Sequence, residues 1–313
     1  KAAAGEPEKI TKCIRCFLCL NQTATKRNIR CAVNPVIGRE LDHIYTLPPV
    51  PSKKVLVVGG GPAGMEAALT AARRGHRVTL CEAEARLGGQ LLCEEFVPFK
   101  QELFAFCRQK AEEVKAAGVE IRCNTRVTRA WAEAFAADVL VCAVGAEFAR
   151  PPVPGIDLPH VRFPDALRSR EPDFGRRVVV IGGGMVGCET AIHLMQRGHT
   201  VTVLQRHDTF AADATIWHRQ GLRQQLQKGV TLLLNTEAVA ITGRGVVVKQ
   251  PDGSQETLEA DTVFCAAGLR PRAQIREELR FVAPSFHAIG DCMQPAQMFQ
   301  ALSQGHFVGR DIT

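Results

Sequence analysis

Tyrosine and tryptophan are almost missing from this chain of 313 residues, which has one Tyr, two Trp and 6% aromatic residues overall. Recognition of single-stranded nucleic acid leans on flat side chains that stack bases, and few are available here. The formal net charge of +7 therefore reads as a solvated surface with sites for phosphate-bearing cofactors, not as a nucleic-acid interface. Basic residues are locally enriched only from Lys9 to Arg39. Also missing is any apolar run near the ~18 residues of a membrane span, because Gly, Arg or Asp interrupts every stretch. The opening Lys1-Ala-Ala-Ala-Gly-Glu-Pro-Glu8 has neither the apolar core of a secretory signal nor an initiator Met. The chain is therefore expected to be a fragment whose beginning lies upstream.

What is present is ordinary globular composition, 46% hydrophobic and 23% charged, in a length that suits two domains or one with a large insertion. The 12 cysteines do not need to be a disulfide scaffold in a chain this long and apolar. Four of them, Cys13, Cys16, Cys19 and Cys31, cluster near the start. The other eight are dispersed, several at the ends of apolar strands, where Cys acts as a small buried hydrophobe. This usage fits a reducing cytoplasm with the clustered four on metal. No C-x2-C or C-x4-C follows Cys19, which argues against thiol–disulfide chemistry.

An internal repeat carries the most information. Val55-Leu-Val-Val-Gly-Gly-Gly-Pro-Ala-Gly64 and Val178-Val-Val-Ile-Gly-Gly-Gly-Met-Val-Gly187 each lead into a helical stretch, an Arg-Gly-His and a second apolar run. Gly59, Gly61, Gly64 and Gly75 recur at Gly182, Gly184, Gly187 and Gly198, all displaced by 123 positions. Each copy predicts a βαβ crossover with parallel strands. In G-x-G-x-x-G the first Gly permits the tight turn and the second admits a pyrophosphate to the backbone. The third lets helix pack on strand, and the helix N-terminus offers free N–H groups to phosphate.

The residue closing the second strand separates the two copies. Glu82 ends it in the first and is placed to accept hydrogen bonds from a ribose diol. The second has Gln205, followed by Arg206 and His207. Losing the carboxylate and gaining a cation suits a 2′-phosphate and favours NADPH over NADH. Val139-Leu-Val-Cys-Ala-Val-Gly145 and Val263-Phe-Cys-Ala-Ala-Gly268, following Asp138 and Asp261, read as the closing strands of the two copies. Near the end, His287-Ala-Ile-Gly-Asp-Cys292 sets Asp291 after a short strand, where a carboxylate can accept from a sugar or ribityl hydroxyl.

From residue 53 to 313 this arrangement resembles the FAD/NAD(P)-dependent pyridine-nucleotide reductases. The likeness implies an α/β fold of two Rossmann-like dinucleotide-binding domains, the second inserted in the first. It assigns Gly59, Gly61, Pro62, Ala63, Gly64, Glu82, Gly89, Gln90, Val127, Gly145, Asp291 and Met298 to FAD. Gly182, Gly184, Val186, Gly187, Arg206, His207 and Gly268 fall to the nicotinamide dinucleotide. Gln205-Arg-His-Asp-Thr-Phe210 looks like that family's His-Arg-Arg-x-x-Phe phosphate-binding stretch, with Gln and His as departures. The expected boundaries are a cluster segment and linker over 1–47, FAD-binding parts over 48–150 and 269–313, and a nucleotide domain over 151–268.

Cys13, Cys16, Cys19 and Cys31 form C-x2-C-x2-C-x11-C. Three closely spaced thiolates and one distal thiolate suit an iron–sulfur cluster, whereas structural zinc usually takes two separated C-x2-C pairs. Cys13-Ile-Arg-Cys16, Cys31-Ala-Val-Asn-Pro-Val-Ile-Gly-Arg-Glu40, the linker Leu47-Pro-Pro-Val-Pro-Ser-Lys-Lys54, Leu87-Gly-Gly-Gln-Leu91 and Pro98-Phe-Lys100 together resemble one group. It comprises the iron–sulfur flavoenzymes that include 2,4-dienoyl-CoA reductase, 2-enoate reductase and trimethylamine dehydrogenase. Arg15 stands where that group usually has Gly.

This second resemblance implies FAD, a 4Fe–4S cluster on the four cysteines, NADPH or NADH, and FMN in an N-terminal (β/α)8 barrel that lies outside this sequence. The implied role is electron input to the reduction of an enoyl or dienoyl C=C bond, with the family's proton donors in the barrel, so no catalytic residue is assigned here. An amine dehydrogenase, a dedicated electron-transfer subunit and a zinc-stabilised nucleotide-binding protein are the alternatives. Partners beyond NAD(P)H and an unsaturated acyl or related substrate are not expected, whether nucleic acid or membrane. The sequence is silent on oligomeric state.

Overall fold

The computed structural model describes residues 2–39, 41, 50–170 and 173–313. Glu40 of the Gly-Arg-Glu stretch and residues 47–49 of the linker lie outside the described residues. In chain order the helices are α1 (Leu18–Ala24), α2 (Pro62–Arg73), α3 (Gln101–Ala116), α4 (Arg129–Phe135), α5 (Met185–Gln196), α6 (Ile216–Leu226), α7 (Ala273–Leu279) and α8 (Met298–Asp311). Among the described residues no helix is long and apolar enough to cross a membrane. The chain divides into a first unit of Lys1–Leu92, Lys100–Glu147 and Arg270–Thr313, and a second of Cys93–Phe99 and Phe148–Leu269. The second is thus inserted in the first.

In the first unit five parallel strands lie in the order Ser285–Ala288, Val139–Cys142, Lys54–Val58, Arg77–Cys81, Glu120–Arg122. A central parallel strand is covered on both faces, which is why Val55, Leu56 and Val57 are all apolar and fully buried. Val55 and Val57 face Met65 and Leu69 of α2 and Val114 of α3. Leu56 and Val58 face the other way, toward Leu140, Trp131 and Leu279.

Helix α2 starts with Pro62 at its first position, where a missing N–H costs nothing, and carries five alanines on its way to Gly75. Those small residues admit α8 to backbone contact. A Cβ on Gly305 would fall 2.3 Å from Ala63 O, and one on Gly309 2.6 Å from Ala67 O. The cysteine segment docks on the same unit through Ile14, Cys31 and Val33, packed with Phe106 of α3 and Met298 and Leu302 of α8.

The second unit repeats the plan with parallel strands in the order Val161–Arg162, Thr262–Cys265, Arg177–Ile181, Thr200–Gln205, Val230–Leu234. Helices α5 and α6 cover one face through Ile192, Leu194, Leu222 and Leu226. An antiparallel sheet of Glu237–Thr242, Gly245–Lys249 and Gln255–Glu259 supplies Val246 and Val248 to the other.

The displacement of 123 positions holds in the hydrogen bonds as well as in the glycines. Gly59 N–H donates to Cys81 O at 2.8 Å, and Gly182 N–H to Leu204 O at 3.0 Å. Ala143 N–H donates to Val58 O and Ala266 N–H to Ile181 O, both at 2.8 Å. Asp138 and Asp261 have equivalent roles: each accepts, at 2.7 Å, the first N–H of its neighbouring strand, from Lys54 and Arg177.

Candidate functional site

Each glycine turn is built by contacts that exclude a side chain. Gly59 and Gly182 both adopt φ +107, and a Cβ there would meet the carbonyl of Ala143 at 2.3 Å or of Ala266 at 2.5 Å. At Gly64 and Gly187 a Cβ would fall 1.9 Å from the carbonyl oxygen of Gly59 or Gly182. Gly61 and Gly184 are the N-caps of α2 and α5 and, having no side chain, cap none of their helices' N–H groups themselves.

Around the first turn the fold assembles most of the residues expected to hold FAD. Gly89 lies against Gly61, so that its added Cβ would stand 3.0 Å from Gly61 Cα. Pro62 and Ala63 open α2. Glu82 is buried and accepts from Gly60 N–H at 2.7 Å and from Glu84 N–H at 2.8 Å, which aims its carboxylate along the turn. Gln90 donates through Nε2 to Ala146 O at 3.1 Å.

Gly290, at φ +68, would bring a Cβ to 3.0 Å from Ala63 Cβ, so the loop carrying Asp291 abuts the start of α2. Burial pushes the Asp291 carboxyl above the usual range, while Ala296 N–H, 3.1 Å from Oδ1, pulls it back. Gly145, at φ +71, follows the strand Val139–Cys142, and Met298 begins α8 within the cluster that holds Cys31. Val127 lies in the apolar cluster with Val58 and Cys81, the residues that precede Gly59 and Glu82.

The second turn differs at its rim. Gln205 holds the place of Glu82, since a Cβ on Gly183 would meet its Cβ at 2.8 Å, but its amide donates to Thr209 O at 2.8 Å. Arg206 and His207 are exposed, with Arg206 Nε 3.1 Å from His207 Nε2. Val186 is exposed on the first turn of α5, and Gly268 (φ +106) follows the strand Thr262–Cys265. If Arg206 meets the 2′-phosphate, Arg206→Ala is expected to weaken NADPH about tenfold to a hundredfold and NADH under about twofold, the scale of one charge-assisted hydrogen bond. Equal losses in parallel titrations of the two nucleotides would place the 2′-phosphate elsewhere.

The cysteine segment shows a thiol-rich fold with strained backbone. Arg15 and Phe17 lie in the left-handed region at φ +55 and +57, a conformation that Gly adopts without strain. Arg15 N–H points at Cys13 Sγ at 3.3 Å, and the Arg15 side chain pairs with Glu102. Burial pushes the Cys16 thiol up, Leu18 N–H pulls it down, and the nearness of Cys31, Cys13 and Cys19 raises it further. The other three thiols therefore lie within electrostatic reach of Cys16. Among the described residues, no group of three or more His, Cys, Asp or Glu side chains stands at metal-holding geometry. A donor set of thiols served by backbone N–H groups fits an iron–sulfur cluster in chemistry. Beside Cys31 opens a cavity of about 670 Å³, where Arg30 lies over Phe299 (5.1 Å) and Arg39 over Phe307 (4.5 Å).

Two paired glycine cradles in nested α/β units define a flavoprotein oxidoreductase of the two-dinucleotide class. Residues 53–305 match the model of the pyridine nucleotide-disulphide oxidoreductase family, and the chain belongs to that family. Membership implies FAD and NAD(P)H as cofactors. The chain is similar to the NADH oxidase of Thermoanaerobacter brockii, 34% identical over 100% of this chain and 49% of the relative. It is also similar to the cinnamate reductase of Clostridium sporogenes, 30% identical over 97% of this chain and 46% of the relative. Among solved structures, a 2-naphthoyl-CoA reductase in complex with 2-naphthoyl-CoA superposes with a TM-score of 0.95 and 32% identity, covering 100% of this chain and 48% of that one. The chain spans about half the length of the relatives it matches.

Proposed function

We propose that this chain is the electron-input portion of an NAD(P)H-dependent iron–sulfur flavoprotein reductase, delivering electrons through FAD and a 4Fe–4S cluster to FMN in a barrel outside it, where an enoyl or dienoyl C=C bond is reduced. The observation that carries the reading is the pair of glycine cradles in one register together with Cys13, Cys16, Cys19 and Cys31 on a segment that packs against α3 and α8 of the first unit. The resemblance to cinnamate and 2-naphthoyl-CoA reductases supports the class of acceptor.

In this reading the residues of the chain bind, orient and tune. The N-termini of α2 and α5 offer N–H groups to the two pyrophosphates, and the close approach of Gly61 and Gly184 leaves room for them. Glu82, already fixed by two backbone N–H groups, offers its remaining lone pairs to the adenosine ribose. Asp291 sits beside the start of α2, placed for a ribityl hydroxyl. Bound in the first cradle, FAD supplies the conversion of a two-electron hydride donor into a source of single electrons. Arg15 and Leu18 N–H groups stabilise sulfur charge on the cysteines and so set the potential of a cluster held there.

Anaerobically purified protein is expected to contain iron, sulfide and flavin, and NAD(P)H is expected to bleach the flavin. Cys16→Ser should remove the broad absorbance near ~400 nm that a cluster contributes and leave the flavin bands. A variant spectrum identical to the parent would refute the ligand assignment. Material with zinc and no iron would refute the cluster itself.

A further inference from the structure

The register of the repeat runs on past the glycine turns, into segments whose sequences no longer look alike. Gly88 N–H donates to Gly60 O at 2.9 Å, and 123 positions later Ala211 N–H donates to Gly183 O at 2.7 Å. The residues that follow lie against the second glycine of each turn: Gly89 against Gly61, and Asp213 against Gly184, where a Cβ would stand 3.7 and 3.8 Å from the two carboxylate oxygens. Position 213 is the counterpart of Gln90, one of the residues assigned to FAD.

The two copies handle the same place with opposite chemistry. In the first copy the helix opens on Pro62, which has no N–H, and Gln90 is a neutral amide turned toward Ala146 O at 3.1 Å. In the second the helix opens on Met185, and its N–H donates to Asp213 Oδ1 at 2.8 Å. A carboxylate thus occupies one of the N–H groups that a helix N-terminus offers to phosphate.

We infer that Asp213 is a resident competitor for the pyrophosphate, and that it makes the second cradle an exchanging site while the first cradle, with the neutral Gln90 in the corresponding place, retains its ligand; the inference rests on the second cradle's being the nicotinamide dinucleotide site. A pyrophosphate arriving there displaces the carboxylate from Met185 N–H or lies beside a like charge. Either way the complex is weaker than the same cradle would give with a neutral residue. That division suits the two ligands, since FAD stays bound between turnovers whereas an oxidised nicotinamide dinucleotide must leave each time. Affinity changes within one site act mainly on the rate of leaving.

The test is to titrate the FAD-loaded protein with NADPH and with NADH by calorimetry, for the parent and for Asp213→Asn and Asp213→Gln. Asn keeps an oxygen for Met185 N–H and removes only the charge, and Gln copies the first cradle. Flavin content, read from absorbance, reports that each variant is folded. The expected result is about fivefold to tenfold tighter binding of both nucleotides to both variants, the scale of one fully hydrated like-charge contact at about 4 Å, with slower release in stopped flow. Unchanged or weaker binding in flavin-loaded variants overturns the role of Asp213 and leaves the dinucleotide site standing. No nucleotide binding by parent or variants overturns both.

Discussion

Gly64→Ala is expected to yield protein that folds poorly and carries no flavin, whereas Gly187→Ala is expected to keep flavin and lose nucleotide binding. The same geometry drives both: the new Cβ would sit 1.9 Å from the carbonyl oxygen of Gly59 or Gly182. That atom belongs to the turn that a ligand would touch, so helix and strand must separate for the methyl to fit. Overpacking of this kind costs about 3 kcal/mol, and the separation moves the helix N-terminus away from the phosphate position. Gly75→Ala and Gly198→Ala are the controls within the same repeat. They adopt φ +94 and +92 with nothing within 4 Å of a Cβ, so only backbone strain of about 1–2 kcal/mol is expected. Flavin absorbance and nucleotide titration read the outcome. Loss of flavin from Gly187→Ala with retention in Gly64→Ala would show that the two cradles have been assigned the wrong way round.

The repeat was legible because its glycines are required by backbone contact, and a required residue keeps its place in a sequence. The α/β fold followed from that, as did Asp138 and Asp261 before the closing strands. The counterpart of Gln90 was not legible: Gly88-Gly89-Gln90 and Ala211-Ala212-Asp213 share a backbone path but no residue, and only the hydrogen bonds to Gly60 and Gly183 align them. A displacement of 123 positions counted on from Gln90 was the available signal. The spacing of the cysteines could be read, but the left-handed backbone at Arg15 and Phe17 could not. Short spacing also missed a meeting across the sheet: Cys292 Sγ lies 3.3 Å from Cys142 O, with 150 positions between them. No motif at short spacing reports a pair brought together by topology.

The largest effect on stability is expected at a charged group that the sequence pattern does not single out. Glu66 of α2 and Lys110 of α3 are 4% and 7% exposed, and Lys110 Nζ is 2.8 Å from Glu66 Oε2 and 3.2 Å from Glu113 Oε2. His306 of α8 stands 3.5 Å from Glu66 Oε1, so one carboxylate ties together the helix that opens the first cradle and two of its neighbours. Burial alone would push the Glu66 carboxyl up, but His306 and then Lys110 outweigh it and hold the carboxyl below the usual range. Lys110→Met removes the cation between Glu66 and Glu113, leaving only His306 beside Glu66, and is expected to cost about 3–5 kcal/mol. Glu66→Leu is expected to cost less, since Lys110 keeps Glu113. The double variant should recover much of the loss, because a well-packed apolar pair replaces a desolvated ionic one. The sign with pH follows from the depressed carboxyl. The contribution is fully present above the unfolded value near ~4.3 and is lost as pH falls through the folded value. Urea midpoints for the parent, both single variants and the double variant across pH 3 to 7 decide the matter. If Lys110→Met costs under about 1 kcal/mol, or the double variant is as unstable as the two single losses added together, the pair does not anchor α2.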